Sequence, residues 1–246
     1  MKYKFFNKTL YLPEQGILVI GDLHLGYDYM IQQSGVLIPE MQVEEIINEL
    51  KDIFNKIKFK KSKLKKIIFL GDIKHSFTYK WKEKNYFNKV LDFLRENFKE
   101  ENIVLIKGNH DTIDYTFNKK LTDYYIEENI AFLHGDKSFP DIFNSKIKTL
   151  VIGHIHPSII LSDKQGIKKE RFKCFLVGKF KNKEIIILPS FLSTIEGSPI
   201  NNYMGEYENG FSVIPEKDLM KFNIHVIGKD KVYKFGKIKE LINKNN

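Results

Sequence analysis

The chain has 246 residues, 42% of them hydrophobic and including 20 Phe and 12 Tyr. That is enough to bury a sizeable core as one domain, and too apolar for a disordered chain. Its formal charge is +9, yet only two of its 40 basic residues, Arg95 and Arg171, are arginines. A lysine surface can hold a polyanion by its phosphates, but it lacks the planar fork that reads base edges, and it serves equally as an ordinary soluble surface. The single cysteine, Cys174, excludes an internal disulfide, so any bound metal must be held by nitrogen and oxygen. The N-terminus lacks the apolar core of a signal peptide and no run approaches ~20 apolar residues, so the sequence predicts a soluble cytoplasmic protein with no membrane partner.

In chain order, residues 5–12 predict a hairpin around Asn7-Lys8, and 17–20 a buried strand. Residues 27–39 show no clear period; beginning directly after His24, they are placed to roof any site that His24 serves. Pro39 opens a predicted helix over 40–57, with Met41, Val43, Ile46, Ile47, Leu50, Ile53, Phe54 and Ile57 at helical spacing. The lysines of 56–66 read as its solvated end rather than a nucleic-acid patch. A strand at 66–70, a helix at 83–99 and a strand at 103–106 complete a βαβ succession that predicts a parallel sheet. Strands follow at 130–133 and 150–152. Beyond His156 the texture changes to short antiparallel strands at 158–162, 172–178 and 184–188, then a loop at 189–208 rich in turn formers, placed to border a substrate. Strands near 211–214 and 221–227 and a short helix at 236–243 end the chain. The expectation is one domain over 1–246, with a motif-bearing half at 17–157 and a second-sheet half at 158–246.

Five of these apolar strands end in the same way. Ile17-Leu18-Val19-Ile20 runs into Gly21-Asp22-Leu23-His24, and Ile67-Ile68-Phe69-Leu70 into Gly71-Asp72-Ile73-Lys74-His75. Ile103-Val104-Leu105-Ile106 leads to Gly108-Asn109-His110-Asp111, Ile130-Ala131-Phe132-Leu133 to His134-Gly135-Asp136, and Leu150-Val151-Ile152 to Gly153-His154-Ile155-His156. A lone Asp after a strand reads as a turn or cap residue. Six of the seven histidines, however, sit in these five tips, and only His225 does not. In parallel sheets the crevice outside the strand carboxyl ends is where ligands bind, so the tips can converge. We read them as one polynuclear metal site. Two divalent ions need about eight protein contacts. Asp22, His24, Asp72, Asn109, His134, His154 and His156 are seven candidates, and a bridging Asp72 would supply the eighth contact. These donors suit Mn(II), taken first, or Fe(II), Ni(II) or Zn(II). Such a pair would acidify a shared water and clamp a phosphoryl group. His110, left over beside Asn109, fits a role in protonating the leaving oxygen or steadying charge.

Together these motifs resemble the five signatures of calcineurin-like metallophosphoesterases. The resemblance covers about residues 17–157 and implies an α/β fold of two sheets sandwiched between helices, a four-layer αββα arrangement. It implies one ion on Asp22, His24, Asp72 and His156, a second on Asp72, Asn109, His134 and His154, and His110 as the catalytic residue that binds neither. His75, where most such phosphatases carry an acid, makes the chain look like the SbcD-type nuclease branch, closest to its short archaeal relatives, in which a second histidine helps place the phosphodiester. True SbcD nucleases are longer, so ATP-coupled end resection is not implied. The leading expectation is a dimetal phosphodiesterase or nuclease holding a DNA or RNA backbone without sequence readout, with a bridging hydroxide attacking. The alternatives are a hydrolase of small nucleotides or other phosphoesters, and a non-catalytic scaffold that keeps the fold.

Overall fold

Along each short strand two apolar sets alternate, and both sets are buried. In the computed structural model, which describes residues 1–59, 63–78, 80–112, 119–163, 165, 167–202 and 212–242, this alternation separates three apolar layers. The first sheet runs in chain order: β1 (Lys4–Phe6), β2 (Thr9–Leu12), β3 (Ile17–Ile20), β4 (Lys66–Phe69) and β5 (Ile103–Leu105). β1, β2 and β3 pair antiparallel, with Asn7 at φ 50 in the first turn, whereas β3, β4 and β5 are parallel. Between the parallel strands lie α1 (Tyr27–Gln33), α2 (Gln42–Phe59) and α3 (Trp81–Arg95). On one face Leu18, Ile20, Ile67, Phe69, Ile103 and Leu105 meet Ile46, Leu50, Ile53, Phe87, Leu91 and Leu94 of α2 and α3.

The opposite face presents Leu10, Ile17, Val19, Ile68 and Val104 to a second sheet, whose Ile130, Phe132, Val151, Phe175 and Ile186 fill the same layer. That sheet comprises β6 (Tyr124–Glu127), β7 (Ile130–Leu133), β8 (Thr149–Ile152), β9 (Pro157–Ser162), β10 (Lys169–Phe180), β11 (Lys183–Ile187), β12 (Ser198–Pro199), β13 (Asn223–Ile227) and β14 (Val232–Lys237). Its order is β12-β9-β10-β11-β8-β7-β6, with β13 beside β10 and β14. β7, β8 and β11 are parallel; β9, β10 and β11 are antiparallel, as their short, turn-separated pattern predicts. The outer face, with Leu133, Leu150, Ile152, Ile185 and Ile187, is covered by Ile142, Leu219 of α4 (Glu216–Leu219), and Ile238 and Leu241 of α5 (Ile238–Ile242). The αββα layering is therefore present, with the second helical layer reduced to short pieces.

Several boundaries differ from expectation. The patternless stretch after His24 contains α1. The second helix starts at Trp81 and stops at Arg95, although Phe98 beyond it stays buried. Of the strand expected near 211–214, residue 211 lies outside the described residues and 212–214 form bends; Val213 N donates to Gly135 O and Ile214 is buried. Of the helix expected at 236–243, Gly236 and Lys237 belong to β14, and 243 lies outside the described residues, as do 203–208 of the 189–208 loop and 60–62 of the lysine run. No helix among the described residues is long and apolar enough to cross a membrane.

Candidate metal centre

Each tip leaves its strand through a sharp bend. Among the described residues eight that are not glycine have positive φ, and four of these are His24 (45°), Asp72 (43°), His154 (67°) and His156 (49°). The left-handed region costs a side chain roughly 1–2 kcal/mol, and such outliers gather where the surrounding structure over-determines them. The other four occupy turns away from the tips. Glycine enables the closest approach: a Cβ on Gly108 would lie 2.2 Å from both the backbone N and Oδ1 of Asp72. Gly71, at φ +108°, turns the β4 tip while passing within contact of Gly108 and His134.

The bends aim donors from both sheets at one place. Asp22, His24, Asp72 and Asn109 come from β3, β4 and β5; His134, His154 and His156 come from β7 and β8. His24 Nε2 lies 3.2 Å from His156 Nε2 and 3.8 Å from Asp72 Oδ2. On the other side His134 Nε2 lies 3.5 Å from Asp72 Oδ2, 2.9 Å from Asn109 Oδ1 and 3.0 Å from His154 Nδ1. Asp22 Oδ2 sits 3.3 Å from His156 Nε2, and Asp22 Oδ1 sits 3.1 Å from His134 Nδ1. Two groups could thus hold an ion with ligand atoms within 4.8 Å of one another, His24/Asp72/His156 and Asp72/His134/His154, and both contain Asp72. A third such group, His24/His75/His110, was not anticipated. An imidazole N···N contact can share only one proton, and here both pairs also face one carboxylate oxygen. This donor set fits a pair of cations.

Protonation in the metal-free protein follows from burial. Burial alone would raise Asp22, but His156 and His134 outweigh it and hold the carboxyl well below its usual range. Burial, with the charges of Asp22 and Asp111 added, pushes Asp72 up to about 8 against the pull of His134. His134 goes the other way: burial would lower it, but the Asp22 hydrogen bond and the Asp22 and Asp72 charges raise it to about 9. Its Nδ1 also lies 2.9 Å from Leu70 O, which fixes a proton there and turns Nε2 toward the centre. Burial and the neighbouring His110 and Lys74 lower His75 to about 4.

His110 belongs to neither of the two groups that contain Asp72, but to the third, with His24 and His75. Its N–H donates to Asp72 Oδ1 at 2.9 Å, its Nδ1 contacts His75 O, and its Nε2 is 3.9 Å from Asp72 Oδ2. His75 is adjacent, its ring 5.4 Å from that of His24 and 5.6 Å from that of His110. All nine residues expected at the site are therefore brought together, and His225 is apart on β13 against Phe5. Sequence reasoning did not find the supports behind them. Gln42, at the start of α2, accepts from Gly26 N and donates to His24 O at 2.8 Å. Buried Asp111 accepts from Ile73, Lys74 and Gly108 N–H groups, tying the β4 tip to the β5 tip. The buried Lys74 donates to His110 O and Ser76 O. Asp111 and Lys74 stand inside the motifs and were legible as neighbours of ligands; no local signal marks Gln42. The described part of the 189–208 loop lies beside the centre: Phe191 N donates to Asp22 O and Ser198 N to His156 O, both at 2.8 Å, and Lys173 Nζ donates to Ser190 O and Leu192 O.

The model of the calcineurin-like phosphoesterase family matches residues 16–214. Comparison with curated protein sequences gives no significant match. Among solved structures, Pseudomonas putida nuclease MPE is similar at 19% identity and TM-score 0.56, over 95% of this chain and 100% of that one. A predicted phosphoesterase from Streptococcus pneumoniae (15% identity, 96% and 99% covered, TM-score 0.32) and Entamoeba histolytica Vps29 complexed with zinc (13%, 89% and 96%, TM-score 0.36) also match.

Proposed function

Because the chain belongs to the calcineurin-like phosphoesterase family, we propose that it is a two-metal phosphodiesterase that cleaves nucleic-acid backbone. One observation carries this reading: Asp72 Oδ2 faces His24 Nε2 on one side and His134 Nε2 on the other, while His110 stands beside the same carboxylate. In this reading Asp22, His24, Asp72 and His156 hold one divalent ion and Asp72, Asn109, His134 and His154 the other, with Mn(II) the first candidate before Fe(II), Ni(II) and Zn(II). When bound, the pair would acidify the attacking water and neutralise charge on the phosphoryl oxygens.

The chain's own residues supply the rest. The contact of His110 Nδ1 with His75 O fixes the ring and presents Nε2 to the leaving oxygen, which it protonates. Leu70 O and Asp22 hold the Nδ1 proton of His134, keeping Nε2 as a donor atom. His75, three positions past Asp72, steadies a phosphoryl oxygen as in SbcD-type nucleases. The net charge of +9, almost all of it lysine, supports backbone attraction without sequence readout. Because the middle apolar layer draws side chains from both sheets, we treat residues 1–246 as one domain. The test is a Mn(II)-supplemented assay offering single-stranded DNA, duplex DNA, RNA and cyclic nucleotides side by side. Cleavage of at least one polymer is expected. Turnover of p-nitrophenyl esters or cyclic nucleotides alone would move the assignment to small phosphoesters, and no turnover at all would favour a scaffold.

A further inference from the structure

Phe77 stacks on the imidazole of His110, with ring centroids 4.1 Å apart and planes 24° from parallel. Its segment is anchored on two sides: Phe77 O accepts the Thr112 hydroxyl, and the neighbouring Ser76 N donates to Glu83 Oε1 at 2.8 Å. Yet Phe77 is 56% exposed, and Trp81, on the same stretch, is 67% exposed. Holding His110 upright needs only the face of the phenyl ring that touches it. The open face is apolar surface left in water at an anchored position, and it would gain by being covered.

We propose that Phe77 is a stacking platform for the base carried on the leaving side of the substrate, making it a specificity-determining residue for nucleotide phosphodiesters. The proposal rests on the phosphodiesterase reading above. If His110 protonates the leaving oxygen, the group on that oxygen departs beside the imidazole, and a base one sugar away reaches the phenyl ring stacked on it. Stacking on an aromatic ring tolerates every base because each has a π-face. It therefore adds a preference for nucleosides over other alcohols without adding sequence preference, in keeping with a lysine surface that reads none.

The experiment compares a thymidine dinucleotide with the same compound carrying a tetrahydrofuran abasic residue on the leaving side, in Mn(II), for the wild type, Phe77→Leu and Phe77→Trp. The wild type is expected to favour the base-bearing compound in kcat/KM by about tenfold. Phe77→Leu should slow both compounds through the lost support of His110 but the base-bearing one about tenfold more, removing the preference, and Phe77→Trp should restore it. Equal losses on both compounds in Phe77→Leu would mean that the ring only supports His110, and would overturn the proposal. Cleavage of both compounds by the wild type without preference would overturn the platform and leave the phosphodiesterase reading standing. Turnover of p-nitrophenyl phosphate with neither dinucleotide cleaved would overturn both.

Discussion

Loading the metal-free protein with Mn(II) at pH 7 is expected to eject close to two protons from its ligands, beside any that a metal-bound water would release. Asp72 at about 8 and His134 at about 9 are both largely protonated at that pH, because a buried pocket cannot hold the charges of Asp22, Asp72 and Asp111 together without protons. To act as ligands, Asp72 must give up its carboxyl proton and His134 the proton on Nε2, keeping the one on Nδ1 that faces Leu70 O. Titration calorimetry in two buffers of different ionisation enthalpy reads the number directly, and it should fall by about one between pH 7 and pH 9. The linkage also has a sign. Both groups have folded values above their unfolded ones, so their stabilisation of the metal-free fold is complete at low pH. It is lost as pH rises, from 3.8 toward about 8 for Asp72 and from 6.5 toward about 9 for His134. Asp22, held low, contributes above 3.8 and loses its contribution in acid. Between pH 6.5 and 8 the two losses add, to at most ~2.7 kcal/mol per pH unit. The urea midpoint of the metal-free protein should fall across that window while that of the loaded protein holds. Heat of binding that does not depend on buffer at pH 7 would refute the reasoning.

His110→Ala should keep its metal and lose about 10²–10⁴-fold in kcat; elemental analysis showing lost metal would instead make His110 a ligand. Gly108→Ala drives a Cβ to 2.2 Å from Asp72 Oδ1, so both ions should be lost together; a full metal complement would contradict a shared carboxylate. Lys74→Met leaves His110 O and Ser76 O without their buried donor. It should cost about 1–3 kcal/mol in urea unfolding and lower kcat more than it raises KM. An unchanged midpoint would show that those carbonyls find other partners.

Much of the site was readable because catalysis and folding use the same short strings here. Apolar runs such as Ile17–Ile20 and Ile130–Leu133 are buried on both faces, and such strands leave a hydrophobic signature that ends abruptly at the tip. What stayed hidden is long-range. Gln42 acts on His24 from another element, which only tertiary packing can arrange. The buried state of Lys74 could not be inferred from a residue type that is nearly always solvated. The order of the second sheet is not the chain order, so β13 beside β10 has no local cue. α1 was missed because only Asp28 in it is buried, leaving little of an amphipathic stripe to detect.

The donors at the centre come from strands of opposite sheets, and the residues they join are as much as 132 positions apart in the chain. A filled centre would therefore rivet the rim of the sandwich shut, opposing any sliding or splaying of one layer against the other. Chelation should be felt mechanically as well as chemically: amides at the ends of β3 and β8 would exchange with solvent faster, while those near the far ends of the same strands, held by the apolar filling, would keep their pace.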